Sequence, residues 1–93
     1  MSIDAIVQVV CAGLGIEPRH LSAYSQQQYL QARAIAVQLC VDYDKRYYAI
    51  RDVVGISLDQ IKTSRQKFEQ LKSNSDFMRK YYALKNQIER RAA

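Results

Sequence analysis

Few side chains in this sequence can do covalent chemistry, and none stands in a setting that would activate it. The lone histidine, His20, has no serine or cysteine at a recognisable nucleophile spacing, so neither proton relay nor nucleophilic attack has its parts. Cys11 and Cys40 lie inside apolar runs, outside any C-x-x-C pair, and two cysteines cannot staple a chain of 93 residues. Buried, reduced thiols are the expectation. No set of His, Cys, Asp and Glu has metal-ligand spacing, and Gly13-Leu14-Gly15 lacks the strand and the other residues of a phosphate loop. The reading is a protein that is not an enzyme, with no metal, no cofactor and no evident small-molecule substrate.

The polar residues that do form a pattern are suited to binding. From Tyr43 to Leu71 the chain reads "YDKRYYAIRDVVGISLDQIKTSRQKFEQL", two helical patterns joined at Gly55. On the second pattern Ser57, Asp59, Gln60, Lys62, Thr63, Gln66 and Lys67 are free to face outward. Glutamine can hydrogen-bond adenine, while lysine, serine and threonine can hold phosphate. Lys45, Arg46, Arg51, Lys62, Arg65, Lys67 and Lys72 are therefore candidate phosphate contacts, with Ser57 at the helix start. Gln60, Thr63 and Gln66 are candidate base readers. Asp59 opposes this reading, since it would face the phosphates.

Charge points the same way. Residues 1 to 44 carry Arg19 and Arg33 against Asp4, Glu17, Asp42 and Asp44, a net of −2; residues 45 to 93 carry twelve Lys/Arg against five Asp/Glu, a net of +7. A basic half favours an anionic partner, with nucleic acid first and a merely solvated face as the alternative.

The elements that must position these residues are all helical. One proline, three glycines and no period-two alternation imply an all-α chain, and its length implies a single domain over residues 1–93. Apolar runs end well short of the ~20 residues of a bilayer span, and no basic segment precedes them, so a cytoplasmic protein without membrane contact is expected. Ser2 caps a first helix over about Ile3 to Ala12, and Pro18 opens a short turn to Leu21. Ser25 and Gln28 form a capping box for a helix from Gln26 to about Asp42, which is apolar on most sides and so belongs at the centre. Asp44 caps Lys45 to Val54, which Gly55 ends. Ser57 and Gln60 form a second capping box, stapled by Ile56 and Ile61, for Leu58 to about Ser73. Asn74 or Ser75 caps the last helix, with Phe77, Tyr81, Leu84 and Ile88 on one face and Arg79, Lys80, Lys85 and Arg90 on the other. Of the adjacent pairs Tyr47-Tyr48 and Tyr81-Tyr82, one ring each should be exposed, because neighbours on a helix diverge by roughly 100°.

The order of these elements resembles a known family. "LQARAIAVQLC" (Leu30 to Cys40), "AIRDVVG" (Ala49 to Gly55) and "SLDQIKTSRQKFEQL" (Ser57 to Leu71) resemble the central, first and recognition helices of the C-terminal DNA-binding domain of the bacterial replication initiator DnaA. The resemblance runs from about Ile3 to Ile88 and implies a Trp-repressor-like bundle of about five to six helices, with a helix-turn-helix over about 45–73. The family opens its recognition helix with an Arg-Asp-His motif and reaches the minor groove with a basic loop; here those places read "ISLDQI" and "SAYSQQQ", and Arg51 replaces a small residue. The resemblance thus implies duplex DNA as ligand, in a bacterium or phage, without the family's own site. The alternative is a helical module that kept the fold and binds a protein partner or a second copy of itself.

Overall fold

The structure, a computed structural model, describes residues 1–92. Among them are five α-helices and no strand: α1 (Ile3–Leu14), α2 (Gln27–Asp42), α3 (Tyr47–Ile50), α4 (Leu58–Gln70) and α5 (Ser75–Ala92). A 3-10 turn (Pro18–His20) follows α1, a π turn (Arg51–Gly55) extends α3, and a 3-10 turn (Leu71–Ser73) closes α4. No helix among the described residues is long and apolar enough to cross a membrane.

The centre is α2. Ala32, Ala34, Ile35, Ala36, Val37, Leu39 and Cys40 are all buried, and the helix packs chiefly on α4 and α1 and also touches α5. Over Ala32 to Cys40, where only Gln38 is not buried, such a helix has almost no face to offer water, so the other elements must wrap it. Around it α1 contributes Ile3, Ile6, Val7, Val9 and Val10, while α5 contributes Phe77, Tyr81, Leu84 and Ile88. Gly13 lets α5 approach α1 closely, because a Cβ there would collide with the Leu84 side chain. The helix therefore runs past Ala12 and Gly13 to Leu14, and Gly15 ends it in the left-handed conformation.

Two caps differ from the expectation. The Ser25/Gln28 box does not form: α2 begins at Gln27, and Gln26 stands at its N-cap without a side-chain hydrogen bond. The preceding chain is held from elsewhere, by the Arg33 guanidinium donating to the Tyr24 carbonyl and by packing of the Tyr24 and Tyr29 rings. Nor does Asp44 cap α3. It adopts φ 61° and ends α2, with the Asp44 N–H donating to the Val41 carbonyl (3.0 Å) and the Lys45 N–H to the Cys40 carbonyl (2.9 Å). This is a Schellman closure in which aspartate takes the place usually held by glycine. The segment to Arg46 is spent on that reversal, so α3 starts at Tyr47 instead of Lys45.

A polar latch fastens the end of α2 to α5. The Tyr81 hydroxyl donates to Asp42 Oδ2, Lys85 Nζ lies 3.8 Å from the same oxygen, and Gln38 Nε2 donates to Asp42 Oδ1 at 3.0 Å. Lys85 thus leaves the open basic face of α5 and turns to α2. Burial, reinforced by the hydrogen bond to Asp42 and its charge, pushes the Tyr81 hydroxyl above the ordinary phenol range. Burial also pushes the Cys40 thiol up to about 12, which suits an inert buried cysteine. Cys11 is buried too, and its thiol is likewise raised by burial.

Because the folded phenol holds its proton to higher pH than the unfolded one, its contribution is fully present below the unfolded value of about 10 and is lost as pH rises towards the folded value. Tyr81→Phe should cost about 1 kcal/mol near neutral pH and flatten the alkaline part of the stability profile. Urea unfolding as a function of pH checks this; a profile superimposable on the parent's above pH ~10 would contradict it.

Candidate nucleic-acid interface

The chain passes into α4 through Gly55, the last residue of the π turn, and then Ile56 and Ser57. Gly55 has φ 79°, the left-handed region, and the only atom near the position of its missing Cβ is Ser22 Oγ at 3.8 Å, so conformation and not space selects glycine. Ile56 and Ser57 are extended. The expected capping box is present: the Gln60 N–H donates to Ser57 Oγ at 3.1 Å, and the Ser57 N–H donates to Gln60 Oε1 at 2.9 Å. Ile56 and Ile61 are both buried beside it, which fixes the angle at which the chain enters α4.

With its entry fixed, α4 turns Ile61, Ser64 and Phe68 inward. Lys62 and Gln66 are exposed on the opposite side, with Asp59 beside them in the first turn, and Thr63 is exposed on the flank of that face nearer α2. Gln60 is exposed as well, but its Oε1 is engaged in the cap. Reading adenine needs both a donor and an acceptor from the amide, so Gln60 can act as a bidentate reader only by giving up the box. Lys67 is half-buried at the edge of this face.

The remaining basic candidates divide by what they touch. Arg65 is half-buried; its Nη1 donates to the Tyr47 hydroxyl at 2.8 Å and its Nε is buried without a partner, so this guanidinium braces α4 against α3. Lys72 sits beyond the end of α4, paired with Glu69 at 3.0 Å and near the Phe68 ring. Arg51 pairs with Asp52 at 3.0 Å and covers the Tyr48 ring at 5.4 Å. Arg46 is exposed and Lys45 half-buried, both ahead of α3. Exposed pairs such as those of Arg51 and Lys72 are worth little and exchange readily for a phosphate. The fold therefore gathers Gln60, Lys62, Thr63, Gln66 and Lys67 on α4 with Ser57 at its cap, and sets Lys45 and Arg46 just ahead of α3 and Arg51 just after it.

One charged residue beside this face escaped the sequence reading. Arg33, on the central helix, is only 6% exposed, and it borders a cavity of about 250 Å³ between α2 and α4 together with Leu30, Gln60, Thr63, Ser64 and Lys67. Its guanidinium makes the bond to the Tyr24 carbonyl, its Nε has no partner, and no carboxylate pairs with it among the described residues. Burial alone lowers its pKa from the usual arginine value. The signal was present in "QARAIAVQL": a single charge inside a helix otherwise written for the core.

Elsewhere His20 packs against Tyr24 with the rings tilted and their centroids 4.8 Å apart, and no group of three metal-ligating side chains occurs among the described residues. The exposed rings of the tyrosine pairs are Tyr48 and Tyr82, as the spacing requires. No family model, no curated protein and no solved structure matches this chain.

If Arg65 is a brace, removing its acceptor should be felt in stability. Tyr47→Phe leaves that guanidinium without its hydroxyl partner and should cost about 1–2 kcal/mol in urea unfolding. An unchanged midpoint would show that Arg65 is held by something else.

Proposed function

We propose that this protein binds double-stranded DNA without catalysing a reaction, presenting the outward face of α4 to a groove. The observation that carries the reading is the exposed set Lys62, Thr63 and Gln66 on the first turns of a helix whose entry is fixed by Gly55 and the Ser57–Gln60 box. In a DNA-reading helix-turn-helix, a helix held in this way and preceded by a short one enters the major groove N-terminus first. Arg46 and Arg51 on the side of α3, with Lys72 beyond α4, would flank the duplex and hold its backbone.

The chemistry is weighted towards phosphate. Gln66 and Thr63 keep free groups for a base edge, Gln60 is tied into its cap, and Asp59 repels the backbone near the start of the helix. Affinity should thus come mostly from lysine and arginine, with modest sequence preference. This agrees with a Trp-repressor-like scaffold related to the DnaA C-terminal domain that lacks that family's reading motif, as a small regulator in a bacterial or phage cytoplasm.

A second reading has its own observation. Tyr48 is 63% and Val53 48% exposed on the segment before the turn, a small apolar area suited to a protein partner or a second copy. Charge reversal separates the two readings. Lys62→Glu combined with Lys67→Glu should weaken duplex binding at low salt by at least about tenfold and lower the slope of log affinity against log salt by about 2, while an apolar interface would survive it. Fluorescence anisotropy on mixed-sequence duplexes measures both. Unchanged affinity in the double variant, or no binding by the parent protein at high micromolar concentration, would rule the DNA reading out.

A further inference from the structure

We propose that the cavity between α2 and α4 is a binding site for a small free tetrahedral oxyanion, such as phosphate, sulfate or a compact phosphate monoester. The inference does not rest on the DNA reading. It begins from Arg33, whose guanidinium stays protonated at any physiological pH although the residue is only 6% exposed, its Nε–H is shielded and without a partner, and no carboxylate pairs with it among the described residues. A charge withdrawn from water without a counter-ion is costly, and proteins ordinarily pair it. Here no counter-charge pairs with it among the described residues, and an open cavity lies alongside.

The cavity wall supplies the rest of an anion site. Lys67 adds a second cation, Thr63 and Ser64 add hydroxyls, and the Gln60 amide adds N–H donors, because its Oε1 is already engaged by the cap. No carboxylate lines the space. Donors that come from two helices surround a tetrahedral ion better than a planar carboxylate, which one arginine fork would satisfy from a single side. Size narrows the ligand further. At about 250 Å³ the cavity holds the equivalent of roughly eight waters and falls below the ~300 Å³ at which drug-sized pockets begin.

The burial of Arg33 favours a free ion over the backbone of a duplex. Leu30 and Lys67, both half-buried, line the space together with Arg33, which is 6% exposed. A small diffusing ion reaches a residue so covered more readily than a phosphate tethered to a rigid duplex.

The test is an NMR titration of the full chain with sodium phosphate and with sodium sulfate, each against sodium chloride at matched ionic strength. The Arg33 side-chain Nε–H and the amides of Thr63, Ser64 and Lys67 should shift saturably in the millimolar range and not respond to chloride. Lys67→Gln, a change at a half-exposed position, should weaken phosphate about tenfold, and Arg33→Met should abolish the saturable response. If Arg33→Met fails to fold, Lys67→Gln alone decides. Shifts that match those in chloride, or a saturable response unaltered in Lys67→Gln, would overturn the proposal. A short duplex added in place of phosphate should leave the Arg33 Nε–H resonance unmoved; if it moves that resonance as phosphate does, the site belongs to the DNA backbone and the free-ion assignment fails.

Discussion

The molecule is organised by a helix that has almost no solvent face. From Ala32 to Cys40, every α2 residue except Gln38 is buried, so α2 is stable only when α1, α4 and α5 cover it together. Its small residues, Ala32, Ala34 and Ala36, allow neighbouring backbones to come close, while Ile35, Val37 and Leu39 fill the layers between them. Truncating one such side chain typically costs 2–5 kcal/mol, against a total of about 5–14 kcal/mol for a chain of this length. Both ends of the helix are then tied by polar groups, at Tyr24 through Arg33 and at α5 through Asp42.

That central packing creates the exposed face of α4. Because α4 must bury Ile61, Ser64 and Phe68 on α2 and its surroundings, the residues between them are forced outward, and these are the polar and basic ones. The turn adds precision. Gly55 and the capping box set where α4 begins, and the Arg65–Tyr47 bond braces it against α3, so the outward side chains sit on a rigid support. Arg33 is the exception within this logic: a charge placed at the packed side of α4, where a cavity meets it.

Much of this was legible in the sequence, for reasons that can be named. The Ser57–Gln60 box, Gly55 and the Ile56–Ile61 staple are local signals, complete within a few residues, and all are present. The burial of α2 followed from its composition, and the exposure of Tyr48 and Tyr82 from helical geometry. The signals that misled were those in competition with tertiary contacts. Ser25 was a good cap for a helix that starts elsewhere, because Arg33, several residues on, holds the Tyr24 carbonyl. Asp44 looked like the start of α3, but the left-handed position at the end of α2 used it first. Arg65 reads in the sequence as a phosphate contact, and the fold adds a partner that no local signal announces, the Tyr47 hydroxyl, distant in the chain. The cavity was not legible at all, since its lining comes from two helices whose register only the fold sets.

The central claim is that the outward face of α4 is the functional surface, and amide shift mapping tests it most directly. On adding a short duplex to the labelled protein at low salt, the account predicts that the amides of Ser57, Lys62, Thr63 and Gln66 move first and furthest, with Tyr82 on α5 unaffected. Shifts confined to Tyr48 and Val53, or the absence of any shift while the protein remains folded, would contradict it.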